Sequence, residues 1–426
     1  KMLYDQALLA EVYAQAFLAA GEARFLRTAA ETADYVLRDL AGPDGAFYSA
    51  EDADSEGEEG KFYLWTKDEV RQALDPEEVG LAERLFNVEA GGNFAEPGRA
   101  RDGRNILHLG RGPRRGSGPV EGEGSETEVR LAEVREKLLR ARGKRPRPFL
   151  DTKVLADWNG LMISALAAVF RVTGEARYLC AADRAADFVL ERMTAPDGRL
   201  LHLAIGGRAR VPAFLDDYAY VVKGLVALYE AGHDPVRLER ALGLVGRAID
   251  LFWDGGEGGF VFADAPEVGG KRKEVYDGAL PSGNSVMLSN LLRLARLTGL
   301  AELEEKAARL AEAFAGDVAG HPAAHTEFLC GLDLAIGQAR EVVVVGKRGD
   351  KATEALLAVL RGTFLPNTVV LFKPSDEPVT AEKLARLAPF TKDMDVGGGV
   401  AAAHVCSAGA CLRPVASADG LRAILK

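Results

Sequence analysis

Four times along this 426-residue chain a helix opens on a polar cluster and then turns apolar on nearly every side. The openings are Tyr4-Asp5-Gln6, Asp157-Trp158-Asn159, Asp216-Asp217-Tyr218 and Ser282-Gly283-Asn284-Ser285. A helix such as Leu161-Met162-Ile163 continuing through Ala165–Phe170 has no wet face, so it is stable only where neighbours cover most of it. A short turn follows, Ala20-Gly21-Glu22 or Thr173-Gly174-Glu175, whose glycine supplies the left-handed helix end. The next helix is amphipathic, with Tyr178, Ala182, Ala185 and Val189 set against Asp183, Arg184, Asp187 and Glu191. A turn (Pro43-Asp44-Gly45, Pro196-Asp197-Gly198, Asp254-Gly255-Gly256) and a strand-like piece (Ala46–Ser49, Leu200–Ala204, Gly259–Ala263) complete the unit.

Hairpins at 5–40, 157–193, 216–253 and 283–317 fit this pattern, with Asp157, Asp217 and Ser282 spaced 60 and 65 residues apart. The interval from Asp5 to Asp157 leaves room for one more hairpin and an insertion. We expect its inner helix within Lys67–Asn87, its outer helix at Glu126–Arg142, and a long mobile Gly/Arg/Pro loop at 98–125. A further helix at 322–337 stands without a partner, and its natural one would lie upstream of Lys1. The count approaches six, so the expected fold is mainly α, an (α/α)6 toroid over 1–340 with an insertion at about 55–125. Beyond Gly337 the short apolar runs Val342–Val345 and Val369–Phe372 suit buried parallel strands, with a helix at 350–361 between them. The stretch 341–426 therefore reads as a small α/β appendage.

Composition narrows the function. Hydrophobic content of 48% and charged content of 27% describe a soluble globular protein. A net charge of −10 argues against nucleic acid, and the Arg-rich stretches Arg99–Arg115 and Arg140–Arg147 sit among Gly and Pro as solvated loops. No run of about eighteen apolar residues is present to span a bilayer, and no charged-then-apolar leader opens the chain. The expected location is the cytoplasm. Lys1 rather than Met comes first, from which we expect that a preceding portion is missing. Cys180 and Cys330 are expected in the core. Cys406 and Cys411, with only His404 nearby, are expected as two buried or reduced thiols rather than a zinc site.

An Asp, Asn or Ser at a helix start caps free amides, and capping alone accounts for any one of these residues. Repetition at one end, with Trp158, Tyr218 and Tyr276 beside the carboxylates, points further, to a pocket. Aromatic faces with carboxylates and amides suit a sugar, which has an apolar C–H face and a hydroxyl rim. The candidate catalytic residues are Asp52, Asp157 and Asp217. The candidate substrate contacts are Asp5, Glu51, Asp54, Lys153, Trp158, Asn159, Asp216, Tyr218, Tyr276, Ser282 and Asn284. The acidic run Glu51–Glu59 resembles the start of an EF-hand loop, but the twelfth position is Tyr63, so calcium is not expected there. No metal or cofactor is expected. Glycoside hydrolysis needs two carboxyls across the bond, and Asp52 or Asp54 against Asp157 or Asp217 are the available pairs.

Five stretches in order, Lys1–Asp5, Tyr48–Gly57, Asp151–Leu161, Asp216–Ala219 and Pro281–Ser285, resemble the thioredoxin-domain-containing DUF255 (YyaL) family. That resemblance implies a six-hairpin glycosidase-like region, normally preceded by a thioredoxin-like domain whose cysteines this chain lacks. It leaves a carbohydrate-active or carbohydrate-binding toroid as the first expectation. A noncatalytic scaffold for the upstream domain is the alternative. A sugar epimerase or isomerase is the third, weakened by the lack of an obvious pair of pocket histidines.

Overall fold

The computed structural model describes residues 1–95, 98, 100–109, 125–264, 272–407 and 409–425. Positions 110–124, the greater part of the expected 98–125 loop, lie outside them. The chain divides into two compact units, Lys1 with Glu51–Asp151 and Met2–Ala50 with Thr152–Lys426. The fold is mainly helical, and the larger unit is built of helix hairpins. Among the described residues no helix is long and apolar enough to cross a membrane.

Helices α1 (Leu3–Ala20) and α2 (Ala23–Tyr35) form the first hairpin of the larger unit. The next three, α3 (Lys67–Ala73), α4 (Pro76–Leu85) and α5 (Ser125–Arg142), belong to the smaller unit. Trp65, Val70, Leu74, Ala82, Phe86, Val134 and Leu138 give it a core of its own. The expected ring hairpin at 67–142 is thereby corrected: α1 packs directly on α6 (Ala156–Thr173). Then come α7 (Ala176–Arg192), α8 (Leu215–Gly232), α9 (Pro235–Phe252), α10 (Gly283–Thr298), α11 (Ala301–Gly320) and α12 (Thr326–Ile336). The inner helices pack in the order α1, α6, α8, α10, α12, while α2, α7, α9 and α11 each pack on the inner helix before them. Gly21, Gly174 and Gly299, with φ of 72°, 74° and 78°, end α1, α6 and α10 in the left-handed region that glycine enters freely.

Two glycines set how closely the inner helices approach. A Cβ on Gly160 would stand 2.4 Å from the Tyr220 carbonyl carbon, and one on Gly224 would stand 2.6 Å from the Gly160 oxygen. The backbones of α6 and α8 therefore touch where any side chain would force them apart. They run parallel with their starts aligned, since the Asp157 N–H donates to Asp217 Oδ1 at 3.1 Å. On the other side Tyr4 of α1 meets Trp158 of α6 edge-to-face at 4.9 Å.

The polar openings also hold the strand-like pieces. Asn159 accepts from the Phe47 N–H (2.8 Å) and donates to the Phe47 carbonyl (3.0 Å). Asn284 does the same to Phe260 at 2.8 and 3.0 Å, and the Tyr218 hydroxyl accepts from the Leu200 N–H at 2.9 Å. Each gripped residue sits in a bridge closing the turn after an outer helix: Ala41 to Phe47, Thr194 to Leu200, Trp253 to Phe260.

The C-terminal region carries a mixed sheet ordered Thr368–Pro374, Arg340–Gly346, Ala401–Ser407, Ala410–Cys411. The first pair is parallel, as a β-helix-β crossover through α13 (Lys351–Arg361) requires, and the other pairs are antiparallel. Val342, Val344, Leu356, Leu360, Phe372 and Leu421 form its core. Cys406 and Cys411 face each other across the last hairpin, 4.0 Å apart at Cα, and are disulfide-bonded, not the two thiols expected. Cys180 and Cys330 are exposed, not in the core. Cys180 falls outside the buried stripe of Tyr178, Ala182 and Ala185, and Cys330 lines a cavity between the inner helices.

Gly160→Ala is expected to lower stability by about 1–3 kcal/mol or more through overpacking. Gly243→Ala on α9, where nothing lies within 4 Å of the new methyl, should raise it by up to about 1 kcal/mol. Urea unfolding of both variants checks this; equal effects would contradict the close helix contact.

Candidate active site

The starts of α6, α8 and α10 meet, and their first-turn carboxyls face different neighbours. Asp217 points toward α6. Its Oδ1 accepts from the Asp157 N–H and its Oδ2 from the Phe214 N–H at 2.8 Å. His202 Nδ1, on the strand Leu201–Ile205, lies 2.9 and 3.1 Å from the two oxygens. Asp157 Oδ1 accepts from the Trp158 N–H at 2.8 Å. Asp157 and Asp217 are 8% and 1% exposed, so both carboxyls are nearly dry, while His202 is half-buried.

Dryness decides the protonation. Burial, then the neighbouring Asp217, pushes the Asp157 carboxyl up to about 8. The hydrogen bond from His202 to Asp217 raises the imidazole above its ordinary value. A proton thus stays on Asp157 at neutral pH, beside a histidine–carboxylate pair. Oxygen and nitrogen atoms of Asp157, His202 and Asp217 lie within 4.8 Å of one another, a spacing that can hold a cation. The Asp217 oxygens, however, are already engaged by two backbone N–H groups and the imidazole, leaving little for a metal to take. The same closeness falls short of the roughly 6.5–9.5 Å that separates an inverting glycosidase pair.

Asp216, one residue earlier, turns to α10. Its carboxyl accepts from the Gly283 N–H, and burial followed by the adjacent Asp217 pushes it up to about 7. Gly283 is needed there, because a Cβ would come within 2.4 Å of Asp216 Oδ1. Asp216 lines a cleft of about 180 Å³ with Phe262, Glu274, Tyr276, Pro281 and Asn284. Tyr276 is 60% exposed and offers its ring to the opening. Asp157 and Asp217 do not line this cleft; the Asp216–Asp217 dipeptide joins the two sites.

The other candidates have varied surroundings. Ser282 lines the cleft and caps α10, its Oγ accepting from the Ser285 N–H at 3.1 Å while its N–H donates to Asp277. Tyr218, Asn159 and Asn284 give their polar atoms to the backbone grips described above. Tyr218 is fully buried; Asp5 is exposed in the first turn of α1. The Lys153 carbonyl accepts from the Ser49 N–H at 2.8 Å. Glu51, Asp52 and Asp54 belong to the smaller unit. Glu51 is buried there, accepting from Arg147 at 2.8 Å and from the Tyr63 hydroxyl, and Asp52 Oδ1 accepts from the Ala53 N–H at 2.7 Å. His202 and Glu274 were not singled out from the sequence. The turn at Pro196-Asp197-Gly198 returns the chain to the helix starts, and that was the available signal for His202.

No family model matches the chain. It is 34% identical over 455 residues to spermatogenesis-associated protein 20 of Homo sapiens, covering all of this chain and 58% of that protein. The chain thus spans under two thirds of the curated relative's length, corresponding to its C-terminal part. Among solved structures, a sugar epimerase from a ruminal bacterium aligns with a TM-score of 0.40 at 11% identity, over 94% of this chain and 77% of that one. A D-mannose isomerase aligns with a TM-score of 0.38 at 13% identity, over 74% and 76%.

Asp157 and Asp216 are held above the ~3.9 of an unfolded Asp, so between pH about 4 and 8 the folded state binds more protons than the unfolded one. Their contribution to stability is complete below about pH 4 and is lost as pH rises through about 7 and 8. His202, also raised, acts in the same sense. The melting temperature of Asp157→Asn relative to the parent should therefore rise between about pH 5 and 8.5. A difference independent of pH would contradict the protonated Asp157.

Proposed function

The chain belongs to the family of spermatogenesis-associated protein 20, matching its C-terminal part, and from that premise we propose that it acts on a carbohydrate. In this proposal the cleft between α8 and α10 receives a sugar ring, and Asp216 exchanges a proton with it. The observation that carries the proposal is a half-buried, neutral-range carboxyl opening into a cleft beside an exposed aromatic ring. A sugar's C–H face stacks on Tyr276, while its hydroxyls meet Glu274 and Asp216.

A carboxyl that is half-protonated near pH 7 suits general acid–base work, because it can give a proton and take it back. Asp217 acts here as a positioning residue. Its negative charge beside Asp216 keeps the proton on, while its own lone pairs are held by Phe214, Asp157 and His202. In this reading Glu274, which lines the same cleft, is the second carboxyl for hydrolysis, whereas proton transfer by Asp216 alone serves epimerisation or isomerisation. A second reading, which rests on the resemblance to the thioredoxin-domain family, is presentation of an upstream thioredoxin-like domain.

A panel of mono- and oligosaccharides should give saturable binding by calorimetry, weakened by Tyr276→Ala by about 0.5–1.5 kcal/mol. For the sugars that bind, release of reducing ends tests hydrolysis, and uptake of solvent deuterium tests epimerisation. Asp216→Asn should lower either rate by about 10²–10⁴ while binding persists. No binding across the panel, with tight association of a separately produced thioredoxin-like domain, would favour the scaffold instead.

A further inference from the structure

Beyond the helix starts, the inner helices border a second cavity of about 540 Å³, lined by α1, α6, α8, α10, α12 and the segment Phe364–Asn367. It begins at Glu11, Ser164 and Lys223 and extends to Arg171, Glu230 and Arg293. Arg171 lies fourteen residues past Asp157 on α6, roughly 20 Å along the helix. A volume of this size is in the ordinary range for small-molecule sites, about 300–1,000 Å³.

The charges lining it are unevenly matched. Lys223 pairs with Glu11 at 3.3 Å, and Ser164 donates to the same carboxylate at 3.3 Å. Arg293 holds Glu230 at 2.6 Å, whose other oxygen accepts from the Val370 N–H at 3.1 Å. Asp333 accepts from Asn367 at 2.7 Å. Two lining charges stand apart, the Glu327 carboxyl and Arg171: among the described residues neither makes a side-chain hydrogen bond or ion pair, and the Arg171 guanidinium is half-buried and faces the cavity. The charges that act on it are Glu230, which attracts, and Arg293, which repels. Glu230 is already taken by Arg293 and the Val370 N–H, so Arg171 keeps its five donors unspent. Holding an unpaired guanidinium away from bulk water costs stability, whereas a carboxylate or phosphate would accept its forked N–H groups two at a time.

We propose that this end of the cavity binds a small carboxylate- or phosphate-bearing molecule through Arg171. The site is separate from the Asp216 cleft and does not depend on the function proposed for it. Cys330 lines the same cavity and is exposed to it, whereas Cys180 lies on α7, outside the cavity lining, so the two thiols give a reporter and an internal control.

The test is alkylation of the intact chain by iodoacetamide, followed by peptide mass spectrometry, with inorganic phosphate, malonate or glucose 6-phosphate at increasing concentration. At least one should slow Cys330 labelling severalfold and saturably, leaving Cys180 unchanged. Arg171→Met, which removes the charge but keeps the length, should fold at least as stably and lose the protection. Arg171→Lys should retain it only at about tenfold higher concentration, because the fork is gone. Asp216→Asn should leave it intact, which separates this site from the sugar cleft. Absence of protection by all three probes in the parent chain, or protection that survives in Arg171→Met, overturns the proposal.

Discussion

The close contact between α6 and α8 at Gly160 and Gly224 is the constraint on which the site depends. Dispersion is strongest when atoms touch, and these two backbones touch because no Cβ stands between them at Gly160 or Gly224. Once in contact and in register, their starts coincide. Asp217 then reaches the Asp157 N–H, and the carboxyls of both residues are taken out of water together. The raised Asp157 carboxyl is therefore a consequence of helix packing, not of any special chemistry in the first turn. The same logic repeats at α8 and α10, where Gly283 admits the Asp216 carboxyl to a free backbone N–H.

The polar openings divide their work between architecture and chemistry. Asn159, Tyr218 and Asn284 each bind the backbone residue that follows the preceding outer-helix turn, and so fix where the next inner helix begins. Without that grip the turns at 43–45, 196–198 and 254–256 would be free to swing, and the first-turn carboxyls with them. Asp157 and Asp216 are the residues left to hold protons. Tertiary position separates the asparagines from the aspartates, since all are short polar side chains at helix starts.

Much of this was legible in the chain. Helices without a wet face had to be inner ones, and the Gly21 and Gly174 turns placed their outer partners. The parallel strands Arg340–Gly346 and Thr368–Pro374 announced themselves as Val-rich runs. Three features were not legible, each for a physical reason. Helices α3–α5 are amphipathic and carry no mark of which core they join, so their separate unit was read as a ring hairpin. The strand Ala401–Ser407 opens on three alanines, too weak in β preference to signal, and it hid the hairpin that joins Cys406 to Cys411. His202 sits in a short strand whose orientation depends on the Tyr218 grip two residues away, a contact that no local spacing reveals.

The central claim is that packing of α6, α8 and α10 keeps protonated carboxyls at the helix starts near neutral pH. The most direct measurement is a carboxyl-carbon NMR titration of the chain labelled at aspartate, with Asp157→Asn and Asp216→Asn used for assignment. The account predicts two resonances that titrate near pH 7 to 8 and move down toward the ordinary aspartate range in Gly160→Ala for Asp157. Midpoints near pH 4 for both residues in the parent chain would contradict it.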